Sequence, residues 1–97
     1  MAHKLRVPDS IAVTIRALHP NLKQKIRAAL ELILAEPHSG KALRGEQAGL
    51  MTYRVSRFRI VYRIGRDRVV ELVAVGPRES IYEETYRLVS KETVLKD

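Results

Sequence analysis

Six arginines crowd into residues 51–68, at positions 54, 57, 59, 63, 66 and 68, with Asp67 the one acid among them. The guanidinium is a planar fork that binds phosphate oxygens in pairs and stays charged at any relevant pH. Of the formal +7 on the 97-residue chain, this stretch contributes +5, residues 1–50 contribute +4, and residues 69–97 contribute −2. The expected partner is a polyanion, with nucleic acid the foremost case. The plainer alternative is a solvated arginine-rich hairpin that aids solubility.

Spacing sharpens the choice. If Phe58–Ile64 is a strand, Phe58, Ile60, Tyr62 and Ile64 point to one face, and Arg59, Val61 and Arg63 to the other. In the preceding segment Tyr53 and Val55 share a face opposite Arg54 and Ser56. One sheet face is then apolar and aromatic. The other carries Arg54, Arg59 and Arg63, with Arg57 at the hairpin tip. Like charges one strand apart repel, so a sheet that tolerates them is expected to hold an anion, or an acidic partner, on that face.

The acid–base inventory is thin. Arginine is a poor general base but a good stabiliser of charge developing on phosphorus. No histidine occurs in residues 39–97, so a paired-histidine ribonuclease mechanism has no support. Lys41, Tyr82, Tyr86, Glu46, Glu79, Glu83 and Glu84 are the remaining proton carriers. The adjacent pair Glu83–Glu84 does not face one direction on a helix, which disfavours a carboxylate dyad. With no cysteine, thiolate metal sites, disulfides and thiol nucleophiles are excluded, and His3, His19 and His38 lack helical metal-site spacing. No metal and no cofactor are expected.

The elements that must position these residues follow from periodicity. His3–Val7 reads as an edge strand stopped by Pro8. Asp9 or Ser10 can cap a helix to about Leu18, with Ile11, Ile15 and Leu18 on one face. Pro20 opens a second helix to about Glu36, its stripe formed by Leu22, Ile26, Ala29, Leu30, Ile33 and Leu34. Residues 37–50 read as a long Gly-containing connection. Strands follow at about Met51–Ser56, Phe58–Ile64 and Arg68–Val75, joined by short turns that predict antiparallel neighbours. Ile81–Val89 has weak helical character, and residues 90–97 form a polar tail expected to be flexible. The chain is expected to be one α+β domain over 1–97: an N-terminal strand, a helical hairpin on a twisted antiparallel sheet, and a short C-terminal helix. Residues 1–10 lack a signal-peptide core and no apolar run reaches 18 residues, so a cytoplasmic location without membrane contact is expected.

The order of these elements, with LRG at 43–45, YRV at 53–55, FRIVYRI at 58–64 and VELVAVGPRESIY at 70–82, resembles the RelE/ParE toxin superfamily of bacterial type II toxin–antitoxin systems. The likeness spans residues 4–88. For the RelE branch it implies a ribosome-dependent mRNA endonuclease in which the ribose 2′-OH attacks the adjacent phosphate without a metal. On that likeness Arg54 would act at the 2′-OH side, and Arg59 and Arg78 would brace the scissile phosphate. Tyr82 fits the stacking or proton-transferring tyrosine, with Tyr86 second. Lys41 and Arg44, before the sheet, would contact the RNA or ribosomal RNA backbone, and Arg57 and Arg63 of the arginine face are expected to bind RNA as well. The sequence departs from the family pattern at Ser56, where a basic residue is common, and at Gly76-Pro77-Arg78, where many relatives have Gly-His-Arg. The resemblance also implies a cognate antitoxin, here expected to be acidic and to wrap the basic face, with mRNA and the ribosome as the other partners. Two other readings stay open: a ParE-like, non-catalytic inhibitor of DNA gyrase, and a basic RNA-binding module without toxicity.

Overall fold

A computed structural model describes residues 3–43 and 49–77. Its elements, in chain order, are β1 (Lys4–Arg6), α1 (Asp9–Arg16), α2 (Pro20–Ala35), β2 (Lys41–Ala42), β3 (Met51–Val55), β4 (Phe58–Ile64) and β5 (Val69–Pro77). Short 3-10 turns occupy Pro37–Ser39 and Arg66–Arg68. The expected C-terminal helix and tail lie outside the described residues.

Among the described residues the five strands form one sheet in the order β1-β5-β4-β3-β2. β3, β4 and β5 make an antiparallel meander, as the short turns predict. The sheet as a whole is mixed, because β1 lies parallel to β5, pairing Leu5 with Val70. No tight turn links those two strands. The α1–α2 hairpin carries the chain from one sheet edge to the other, which leaves the direction of β1 free of any hairpin constraint. The far edge is β2, a two-residue strand inside the segment read as a connection, pairing Lys41 with Thr52. β5 also runs on past Val75, with Gly76 and Pro77 paired to Arg59 and Phe58. Proline is tolerated there because it ends the strand.

The helices form where their stripes and caps direct. His19 caps α2 through its ring Nδ1, which accepts from the Asn21 N–H at 3.2 Å, and Pro20 sits in the first turn. At α1 the cap position is Pro8, without a side-chain hydrogen bond, in place of the expected Asp9 or Ser10. Asp9 instead enters the first turn and Arg16 the last, each favourable to the helix dipole. Ile11, Ile26, Ala29 and Ile33 pack on Val55, Ile60, Tyr62, Val70, Leu72 and Val75 to form the main core.

Tyr62 ties this core to the connection that follows α2. It is 0% exposed, and its hydroxyl donates to the Pro37 carbonyl at 2.6 Å. A Cβ on Gly40 would collide with that hydroxyl and lie 2.8 Å from the Thr52 carbonyl oxygen. Gly40→Ala is therefore expected to lose about 1–3 kcal/mol through overpacking, read by urea denaturation. Burial raises the Tyr62 phenol above its usual 10.0; a hydrogen bond from the Gly40 backbone opposes the shift and Tyr53 adds to it. Above pH 10 the unfolded chain therefore releases this proton before the folded one, so stability falls as pH rises through that range. Tyr62→Phe should remove this alkaline component in melting curves. At neutral pH it should cost about 1–3 kcal/mol for the buried carbonyl left unpaired.

Candidate nucleic-acid interface

The two faces of the sheet separate as period two demands. Phe58, Ile60, Tyr62 and Ile64 lie on the helix side with Met51, Tyr53 and Val55. On the other side the hairpin register sets Arg54 directly opposite Arg59. A two-residue turn, Ser56-Arg57, closes this pair just beyond Val55 and Phe58, with Ser56 in the left-handed region at φ 57°. Arg57 is exposed at the tip.

Arg54 is exposed, and its Nε donates to the Ser56 carbonyl at 3.5 Å, the long limit of such a bond. Arg59 is half-buried. Its Nε is buried and has no hydrogen-bond partner among the described residues. Two guanidinium groups directly across a strand pair, one with an unused buried donor, form a cradle that an anion would satisfy. Lys41 reaches the same face from β2, because its register partner is Thr52. Arg63 shares the face too, about 13 Å further along β4. It is engaged by Glu71 of β5: Nε donates to Oε1 at 2.7 Å, and Nη2 contacts the same oxygen. Glu71 also pairs with Arg6 Nε at 3.4 Å.

Sequence reasoning missed that pairing. It also missed that the middle of this face is covered. Val61 and Ala74 are buried with Leu50 in a second apolar cluster, to which Leu43 and Val73 add. Leu43 donates its N–H to the Leu50 carbonyl at 2.9 Å, one position beyond the Ala42–Met51 pair, which sets both leucines beside this apolar cluster. A β-bulge at β5, where Val61 pairs with Ala74 and Tyr62 with Leu72, leaves Val73 as the extra residue. The hydrophobicity of Leu43, Leu50 and Val73 was the available signal.

Arg44, Arg78, Tyr82 and Tyr86 lie outside the described residues. The described part of β5 ends at Pro77, beside Phe58 and one residue beyond the Arg59–Gly76 pair. No group of three or more His, Asp or Glu residues that could hold a metal ion occurs among the described residues. None of the described helices is long and apolar enough to cross a membrane.

Comparison with known proteins agrees with this architecture. The structure is similar to an arginine-to-alanine double mutant of the E. coli toxin RelE in its free state, with TM-score 0.74 and 25% identity, covering 95% of this chain and 98% of that one. It is also similar to a chain of the RelBE2 toxin–antitoxin complex of Mycobacterium tuberculosis, with TM-score 0.70 and 26% identity, over 80% of this chain and 100% of that one. A chain of the intact E. coli RelBE toxin–antitoxin complex matches with TM-score 0.66 and 25% identity, over 78% of this chain and 96% of that one. No curated protein sequence matches significantly. Residues 6–82 match the family model described as the ParE toxin of the type II toxin–antitoxin system parDE. With the family model spanning most of the chain and RelE toxins sharing its fold, this protein belongs to the RelE/ParE superfamily of type II toxin–antitoxin toxins.

Proposed function

We propose that this toxin is a ribosome-dependent mRNA endonuclease that works without a metal. The observation that carries the reading is the Arg54–Arg59 pair, directly opposed on one sheet face with the Arg59 Nε buried and unpartnered among the described residues. In the reaction the ribose 2′-oxygen bonds to the adjacent phosphorus and the bond to the 5′-oxygen breaks. The 2′-OH proton leaves to a base, and the 5′-oxygen takes a proton as it departs. Arg54 lies on the 2′-OH side, while Arg59 and Arg78 hold the non-bridging oxygens as their negative charge grows. Tyr82, or Tyr86 in its place, stacks on a base or carries a proton. Lys41, Arg44, Arg57 and Arg63 hold neighbouring backbone, with Arg63 braced by Glu71. An antitoxin with an acidic segment covers this face; similar chains are found in complexes with RelB antitoxins.

The match to the ParE family model favours a second reading, non-catalytic inhibition of DNA gyrase. The two separate in one pair of assays. Primer extension on mRNA in programmed ribosomes should show a cut within the A-site codon that is lost in Arg78→Ala, with gyrase supercoiling unaffected. An intact message together with blocked supercoiling would decide for the gyrase reading.

A further inference from the structure

Three buried polar side-chain atoms have no hydrogen-bond partner among the described residues. One, His3 Nδ1, precedes β1 at the far edge of the sheet. The other two, Arg59 Nε and Thr52 Oγ1, belong to neighbouring strands, and alternation puts both on the arginine face. Met51, Tyr53 and Val55 turn to the helices, so Thr52 turns with Arg54. Register sets Thr52 between Lys41 of β2 and Val61 of β4, about 7 Å from Arg54 along β3. Thr52 and Arg59 are diagonal neighbours across the strand pair, about 7–8 Å apart, a span within reach of a long side chain.

Thr52 is 2% exposed. The fold satisfies its other buried hydroxyl: Tyr62 donates to the Pro37 carbonyl and accepts from the Gly40 N–H. Thr52 has neither bond among the described residues. Valine has the same branched shape and the same preference for strands, with no hydroxyl to strip of water. A threonine at this point indicates that its hydroxyl finds its partner in another state of the protein.

We propose that Thr52 is a substrate-binding residue whose hydroxyl donates, together with Arg59 Nε, to oxygens of the phosphate held in the cradle; the proposal rests on reading the toxin as RNA-directed. The donor set selects the ligand. Lys41, Arg54 and Arg59 offer only N–H donors, Thr52 adds an O–H, and none of the three cations forms an ion pair among the described residues. A group with several acceptor oxygens and a negative charge matches that set, and a phosphodiester is such a group. The hydroxyl is neutral, so it adds a bond to the phosphate without adding to the repulsion between Arg54 and Arg59. Both atoms are closed to water in the free protein, so the contact forms as the long side chains around them turn toward the phosphate. Away from water, each bond to the charged oxygens is stronger.

The test is fluorescence anisotropy of a short labelled single-stranded RNA with 2′-O-methyl riboses, which cannot be cleaved, titrated with the full-length toxin. The variants are Thr52→Val and Thr52→Ser. Thr52→Val should bind about 10- to 100-fold more weakly, the effect of one hydrogen bond to a charged group. It should melt no lower than the wild type, because the group it removes has no partner in the free protein. Thr52→Ser keeps the donor and should recover most of the lost affinity. Wild-type affinity in Thr52→Val overturns the proposal, as does failure of the wild type itself to bind this RNA. An equal loss in Thr52→Ser also overturns it, since the methyl group and not the hydroxyl would then matter. So does a lower melting temperature in Thr52→Val, which would give the hydroxyl a partner inside the fold. Loss of binding to an acidic antitoxin peptide with RNA binding intact overturns it as well, because the hydroxyl would then serve a protein contact. If the wild type leaves message on programmed ribosomes uncut while Thr52→Val still weakens RNA binding, the nuclease reading fails and the Thr52 contact stands.

Discussion

Arg59→Ala is expected to slow strand scission by about 10²–10³-fold, the usual cost of removing one preorganised donor to a transition-state oxyanion. The same change should leave the melting temperature unchanged or raise it. Arg59 lies directly opposite Arg54, so its removal relieves a like-charge pair. It also removes a buried Nε that has no partner among the described residues. Function and stability therefore oppose each other at this position, as expected for a charge cradle kept open for a ligand. Single-turnover cleavage on programmed ribosomes and a thermal melt, made on one preparation, check both halves. A variant that melts lower and cuts at the wild-type rate would make Arg59 a structural residue and remove the basis for the cleavage reading.

That opposition is legible in the sequence. Alternation in Phe58–Ile64 and Tyr53–Ser56, joined by a two-residue turn, is enough to put Arg54 and Arg59 across from one another. Register follows from turn length, and a slip of one residue would bury the arginines and expose Phe58, Ile60 and Tyr62. The helices are equally readable, since Ile26, Ala29 and Ile33 recur at the helical period and all are buried.

What escaped was set by contacts between segments distant in sequence. Nothing local to Lys4–Arg6 states that it pairs parallel with Val69–Glu71, because that partner is chosen by the course of the chain through two helices. β2 is two residues held by register with Met51 and Thr52, too short to carry a period. Glu71 looked like one acid in a C-terminal acidic segment. The β5 register makes it the counter-ion of Arg63 and Arg6, which divides the apparent arginine face into an open cradle and a braced far end. The apolar cluster of Leu50, Val61 and Ala74, with Leu43 and Val73 packed against it, lies between the two.

Ile60→Ala, one residue along from Arg59, should show the reverse pattern. Ile60 is 0% exposed and belongs to the core with Ile26, Ile33, Tyr62 and Leu72. Its strand is flanked on both sides, by β3 and β5, so the cavity left by truncation has little freedom to collapse. The expected loss is about 2–5 kcal/mol, a large part of the roughly 5–15 kcal/mol that holds a domain together. In a domain of this size each kcal/mol lowers Tm by about 4–8 °C, so the variant should melt well below the wild type and show a lower urea midpoint at an unchanged m-value. Assayed where it is still folded, it should cut at nearly the wild-type rate per folded molecule, because Arg54 and Arg59 stand on the other face. Equal losses of rate and stability in Ile60→Ala would mean that packing against the helices sets the cradle geometry. In that case the two faces of β4 would act as one unit, with the interface positioned by the core as well as by the hairpin register.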